Sequence, residues 1–145
     1  MSNLQQAIRV LVVDDSVDAA NGLAAVLSSA DYEARAAYDG CSALKVATSF
    51  RPHLVLLDIE MPGMDGYATA HELRQLAPPD SQVLVAYTAK SDSGSVAAAA
   101  RAGFDLHVGK PCEMRDLLQL LERMVSTLRY RSASEPLRRR HRANG

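Results

Sequence analysis

The chain has 145 residues, 48% hydrophobic and 23% charged, with a formal net charge of −1. This is the length and composition of one globular domain able to bury its own core, which excludes wholesale disorder, collagen and a coiled coil. No apolar run approaches the ~20 residues of a membrane helix, and the N-terminus MSNLQQAIR has no apolar segment before Leu11, so neither membrane insertion nor a signal peptide is expected.

Residues 8–13 (IRVLVV) form an apolar run that stops at Asp14-Asp15, the pattern of a strand buried on both faces. Ser16 is a candidate N-cap, and Val17, Ala20, Leu23, Ala24 and Leu27 follow at helical spacing. Residues 32–38 read as a weaker, Ala-rich strand turned by Asp39-Gly40, and 42–50 as a helix ending near Pro52. A buried strand over 53–57 stops at Asp58, and residues 61–66 (MPGMDG) are a loop. The third helix spans 67–76 and is stopped by Pro78-Pro79. The fourth strand, 82–87, ends at Thr88. An Ala-rich helix over 95–102 closes on Gly103, a good C-terminal cap. A fifth strand covers 104–108, Gly109-Lys110-Pro111 turns the chain, and 112–128 is a final amphipathic helix. Its Met114, Leu117, Leu118, Leu121, Met124, Val125 and Leu128 lie on one broad face, mostly for the core and partly available to a partner.

Five short strands alternating with five helices predict an α/β fold: a doubly wound, five-stranded parallel sheet. The body and the C-terminus differ in charge. Residues 129–145 hold six arginines and one glutamate, a balance of +5, whereas 1–128 balance at −6. The tail lacks apolar periodicity and is interrupted by Pro136, so it is read as a disordered, solvated basic segment. It contains no DNA-reading module, and sequence-specific nucleic-acid binding is not expected. Cys41 and Cys112 are too few for a disulfide scaffold or a metal cluster and fit a reducing cytoplasm.

Ligands of such sheets bind at the carboxyl ends of the strands. Those ends supply Asp14, Asp15, Asp58, Thr88 and Lys110. Single acidic residues after strands often only cap helices, but three carboxylates gathered on one rim repel one another. A hard divalent cation such as Mg²⁺ resolves the repulsion with two of them, and the third is free to act as a nucleophile toward phosphorus. A lysine and a hydroxyl complete the charge neutralisation that phosphoryl transfer needs. The chemistry points to a phosphoryl-accepting aspartate without saying which.

The segments LVVDDS, LVLLDIEMPGMDG, VAYTA and GKP, in this order and spacing, resemble the receiver domain of two-component response regulators over residues 8–128. Single-domain chemotaxis response regulators and the receivers of hybrid sensor kinases are both similar. The resemblance implies a flavodoxin-like sheet in the order 2-1-3-4-5 and a receiver domain at 1–128. It implies that Asp58 is the phosphoacceptor, and that Asp14, Asp15, Asp58 and the backbone carbonyl of Glu60 hold Mg²⁺, with Mn²⁺ as a substitute. By the same resemblance Thr88 is the switch hydroxyl, Lys110 contacts the phosphoryl group, Pro111 follows a cis bond, and 61–63 form the loop beside the site. The implied function is that of a stand-alone cytoplasmic signalling module rather than an enzyme. A histidine kinase or histidine phosphotransfer protein donates the phosphoryl group, and an output protein is contacted through helix 4, strand 5 and helix 5.

His107 stands where the family commonly has Tyr or Phe, and it is the candidate switch ring. Lys90, opposite Glu60, is a candidate ion-pair partner at the site entrance. His53, His71 and Tyr87 are read as packing or surface residues, with Tyr87 also a possible partner contact. Two other classes stay open: a binding module whose phosphorylation is vestigial, and an aspartyl phosphatase. A flavin site is disfavoured, because the loop after the first strand, DDSVD, lacks a phosphate cradle.

Overall fold

The structure, a computed structural model, describes residues 7–78 and 80–128. Strands β1 (Arg9–Val13), β2 (Glu33–Ala37), β3 (Leu54–Leu57), β4 (Val83–Thr88) and β5 (Leu106–Gly109) alternate with helices α1 (Val17–Ser29), α2 (Gly40–Phe50), α3 (Gly66–Leu76) and α4 (Ser93–Ala102). A last helix, α5, covers 114–128. The strands form one parallel sheet in the order β2-β1-β3-β4-β5, as the resemblance implied. The basic tail lies outside the described residues. No helix among the described residues is long and apolar enough to cross a membrane.

The apolar runs of β1, β3 and β4 are continuous because these strands are covered on both faces. Val10, Val12, Leu54, Leu56, Val83 and Val85 pack with α1 and α5, through Leu23, Leu27, Leu117 and Leu121. Their alternating neighbours Leu11, Val13, Val55, Leu57, Leu84 and Ala86 pack with Ala43, Ala47, Ala70, Leu73 and Ala99 of α2, α3 and α4. Each fully buried leucine contributes roughly 1.5–3 kcal/mol. The edge strands differ. β2 buries only Ala37 fully, and β5 is half-buried throughout.

Side-chain caps fix where the helices begin. Ser16, Asp39, Asp65 and Asp92 accept from the backbone N–H three residues on. Asp39 and Asp92 therefore start α2 and α4 two residues earlier than apolar spacing alone predicts. The Ser42 backbone N–H holds the Asp39 carboxyl below its usual range, and the Ser95 hydroxyl does the same for Asp92. Helix α5 starts two residues later than predicted, because Cys112 and Glu113 precede its first turn.

At the opposite end of the sheet, the Arg9 backbone N–H donates to His53 Nδ1 at 3.0 Å. Burial, then the Arg9 charge, holds the His53 pKa below 6.5. Folding thus favours the neutral ring. Its stabilising contribution is complete above pH 6.5 and is lost as pH falls below that value. Urea unfolding at pH 7 and pH 5 should show a drop in stability on acidification that is smaller in His53→Gln.

The turn into α3 brings two backbone segments close together. The Gly66 N–H donates to the Ile59 carbonyl at 2.8 Å. A Cβ at Gly66 would fall on the Asp58 carbonyl oxygen and lie 2.5 Å from Ile59 Cα, both backbone atoms that cannot yield cheaply. Gly66→Ala should therefore cost about 1–3 kcal/mol in urea unfolding, whereas Gly22→Ala, with open space at its Cβ, should not destabilise.

Candidate functional site

The hydrogen-bond ladder of the sheet runs one residue past the strand ends, and this places the site. The Asp14 N–H donates to the Ala37 carbonyl at 3.1 Å, and the Asp58 N–H to the Val13 carbonyl at 3.0 Å. The Lys110 N–H donates to the Thr88 carbonyl at 2.8 Å. Each of these residues is pinned by its backbone to the next strand while its side chain stands at the rim.

Asp14, Asp15 and Asp58 each bring a carboxylate oxygen within 4.8 Å of the other two. Asp14 is buried, Asp58 half-buried and Asp15 exposed. Asp14 Oδ1 accepts from the Ser16 N–H at 3.0 Å, and Asp58 Oδ1 accepts from the Glu60 N–H at 3.3 Å. Buried Ile59 and Met61 flank Glu60 and anchor this exposed residue at the rim.

One ammonium serves this cluster. Lys110 Nζ lies 2.7 Å from Asp14 Oδ2 and 3.5 Å from Asp58 Oδ2. Burial alone would push the Lys110 pKa down. The hydrogen bond to Asp14 and the charges of Asp58 and Asp14 together outweigh burial and leave it above 10.5. The Lys110–Pro111 peptide is cis. Three carboxylates form a hard oxygen donor set, which suits Mg²⁺ and not a soft metal. With an ammonium beside them, they have the parts that nucleophilic attack on a phosphorus atom requires.

The residues around the rim divide into those that meet the cluster and those that do not. Thr88 is fully buried, and its Oγ1 accepts from the Lys90 N–H at 3.3 Å. The Lys90 carbonyl is 2.9 Å from His107 Nε2. Thr88 and His107 are thus joined through the backbone of one residue, Lys90, rather than by direct contact. Among the described residues Lys90 and Glu60 form no ion pair; what Lys90 contributes is its backbone. His71 pairs with Gln75 on α3, away from the rim. Tyr87, half-buried on the last turn of β4, has its ring centroid 5.2 Å from Lys110 Nζ. Nothing in the sequence marks that contact, because the two residues lie 23 positions apart and meet only once β4 and β5 pair.

Residues 10–122 match the family described as the response regulator receiver domain. The DNA-binding response regulator MtrA of Mycolicibacterium paratuberculosis is 37% identical over 111 residues, which are 76% of this chain and 48% of that protein. The response regulator MprA of Mycobacterium bovis is 30% identical over 131 residues, 90% of this chain and 56% of that one. This chain spans about half the length of these curated relatives. Among solved structures, the chemotaxis protein CheY4 of Vibrio cholerae superposes with a TM-score of 0.78 at 26% identity, covering 82% of this chain and 99% of CheY4. NtrX of Brucella abortus gives 0.82 at 30% identity, covering 91% of this chain and 30% of NtrX. The match takes in every residue at the rim, and the chain belongs to the response regulator receiver domain family.

Proposed function

We propose that this receiver domain takes a phosphoryl group onto Asp58 in an Mg²⁺-dependent reaction and converts it into a change of its partner-binding surface. One observation carries the choice of Asp58. Both oxygens of Asp14 are engaged, one by the Ser16 N–H and one by Lys110 at 2.7 Å. Asp15 is exposed at the entrance to α1. Asp58 combines partial burial with an Oδ2 that Lys110 approaches only to 3.5 Å, so of the two carboxylates that Lys110 reaches it keeps the less committed oxygen.

Asp14, Asp15, Asp58 and the Glu60 carbonyl would hold Mg²⁺, or Mn²⁺ in its place, and the ion would supply charge neutralisation for the equatorial phosphoryl oxygens. The donor is a phosphohistidine on a histidine kinase or a phosphotransfer protein. An Asp58 oxygen forms the new P–O bond as the P–N bond breaks, and the departing imidazole keeps the electron pair and takes a proton. Lys110 turns from Asp14 toward a phosphoryl oxygen, and Thr88 Oγ1 donates to another. That turn of Thr88 removes the acceptor of the Lys90 N–H. The Lys90 backbone, held on its other side by His107, then shifts and carries the change to α4, β5 and α5. The aspartyl phosphate adds about −1.5 to −2 charge, and the outcome is a population shift between two states of that face. The output protein binds there.

The reading assigns 1–128 to the receiver and leaves 129–145 as a separate basic tail, on charge and pattern alone. It places the protein in the cytoplasm as a signalling module and gives these residues no sequence-specific contact with DNA. DNA binding is named for MtrA, and this chain spans only about half of that relative.

Intact mass after incubation with acetyl phosphate should show a single phosphate adduct that requires Mg²⁺ and is absent in Asp58→Asn. An Mg²⁺-dependent adduct that persists in that variant would place the chemistry on another residue. Because Lys110 and the cation compete for Asp14, Lys110→Ala should bind Mg²⁺ more tightly, by roughly three- to tenfold in titration calorimetry. The same variant should be phosphorylated at least about tenfold more slowly, since it lacks the ammonium that meets the phosphoryl oxygen.

A further inference from the structure

Tyr87 is the second-to-last residue of β4 and pairs in register with Val108 of β5. Both side chains pack with the α1–α5 core. Two residues beyond Val108, and on the same side of the strand by the two-residue alternation, the chain reaches Lys110. The ammonium of Lys110 lies over the Tyr87 ring, 5.2 Å from its centroid. A cation over the face of an aromatic ring within about 6 Å is attracted by the ring quadrupole. Burial, then the nearby Cys112, raises the Tyr87 pKa above 10, so the ring it presents is a neutral phenol.

Dense packing does not explain the ring's position. Tyr87 borders a cavity of about 600 Å³ between α1 and the start of α5, walled by Leu23, Val26, Pro111, Cys112 and Met114. The ring therefore has open space beside it and a cation on its face. The other contacts of the ammonium are Asp14 at 2.7 Å and Asp58 at 3.5 Å. Both of those carboxylates would be drawn on by a divalent cation, and one of them by the phosphoryl group. Among the described contacts of Lys110 Nζ, the ring is the one that neither event consumes.

We propose that Tyr87 is a positioning residue for Lys110: its ring face keeps the ammonium at the rim when Asp14 and Asp58 are taken up by other partners. This rests on the reading of Asp58 as phosphoacceptor, with Lys110 as the cation that meets the phosphoryl oxygens. The sequence alone reads Tyr87 as packing or a partner contact; the geometry gives it a role inside the site.

The test compares Tyr87→Phe and Tyr87→Leu in the full chain, each with and without Lys110→Ala. Two readouts are taken. The first, without metal or phosphodonor, is the NMR shift of the Lys110 side-chain methylene protons nearest Nζ. These should be moved upfield by the ring current in the parent and in Tyr87→Phe, and should return toward the free-lysine position in Tyr87→Leu. The second is the rate of Mg²⁺-dependent phosphorylation by acetyl phosphate. It should fall about two- to fivefold in Tyr87→Leu, as expected for a cation–π contact at a partly exposed site, and stay near the parent rate in Tyr87→Phe. On the Lys110→Ala background Tyr87→Leu should cause no further loss, because the ring would act through the ammonium. Losses that add on that background, or a Lys110 shift unaffected by Tyr87→Leu, would overturn the proposal and leave Tyr87 a packing residue. If the parent protein takes no phosphate, the failure belongs to the phosphoacceptor reading, and the NMR comparison alone decides whether the ring holds the ammonium.

Discussion

Like-charge repulsion at one rim of the sheet is the constraint around which the rest of the molecule is arranged. Three carboxylate oxygens sit within 4.8 Å of one another, and among the described residues a single ammonium, that of Lys110, is within reach. In water such a group would disperse. Here Asp14, Asp58 and Lys110 stay together, because the backbone of each is tied into the sheet. Asp14 hangs from β2, Asp58 from β1, and Lys110 from β4. To move one carboxylate away from another, a ladder hydrogen bond would have to break at the edge of a core in which Leu11, Val13, Leu56 and Leu57 are almost wholly buried. The core stabilises the fold and, through it, keeps the charges together. Close packing of β1 and β3 against their neighbouring strands transmits that restraint, since a well-packed interior yields little to a lateral force.

A site loaded in this way has an excess of negative charge, which a hard cation would share with the protein ammonium. Sharing has a consequence for Lys110. Its strongest contact, to Asp14, is also the one a divalent cation would contest. A lysine on a flexible stem needs some other restraint if it is to remain where a phosphoryl oxygen would arrive. The Tyr87 ring is uncharged, so no cation competes for it, and β4 holds it on the same face as the Lys110 stem. A carboxylate in that place would bind the ammonium more firmly but would add a fourth negative charge to a cluster that already lacks compensation.

Most of the fold was legible because the periodicities are clean. Residues 10–13, 54–57 and 83–86, which lead to Asp14, Asp58 and Thr88, are apolar throughout, as strands covered on both faces are. The amphipathic spacing of α1 and of 114–128 likewise survives in the packing of Leu23, Leu27, Leu117 and Leu121. Helix starts were less legible. Apolar spacing puts the starts of α2 and α4 at 42 and 95, whereas their caps, Asp39 and Asp92, lie three residues before those positions. Of the rim, the residues that end strands could be gathered from the sequence alone, because a parallel sheet puts all its carboxyl ends on one side. Strand order had to come from resemblance, since periodicity carries no information about which strand neighbours which. The contacts that depend on that order were hidden. Tyr87 meeting Lys110, and His107 meeting the Lys90 carbonyl, both require β4 and β5 to lie side by side. A Lys90–Glu60 ion pair was plausible from charge alone. In the fold Lys90 contributes its backbone to Thr88 and His107, and no carboxylate meets its side chain among the described residues.

The two sides of the site also differ in stiffness, and the difference bears on how a signal would leave it. Asp14 and Asp58 follow β1 and β3, whose residues are nearly all fully buried. Lys90 and His107 lie on the loop after β4 and on β5, an edge strand that is half-buried along its whole length. A new anion at Asp58 would meet a rigid wall on the β1–β3 side and a more yielding one on the β4–β5 side. The Lys90 backbone is where the yielding side begins. Its N–H is bound to Thr88 Oγ1 and its carbonyl to His107 Nε2, so a hydroxyl drawn toward phosphate releases one end of a unit whose other end sits on the outer strand. An aromatic ring without a donor could follow such a movement only by filling vacated space. A histidine can also be pulled by its hydrogen bond. Under the phosphoacceptor reading, this chain couples its buried hydroxyl to its surface through a polar link, and the half-burial of β5 is what leaves that link free to move.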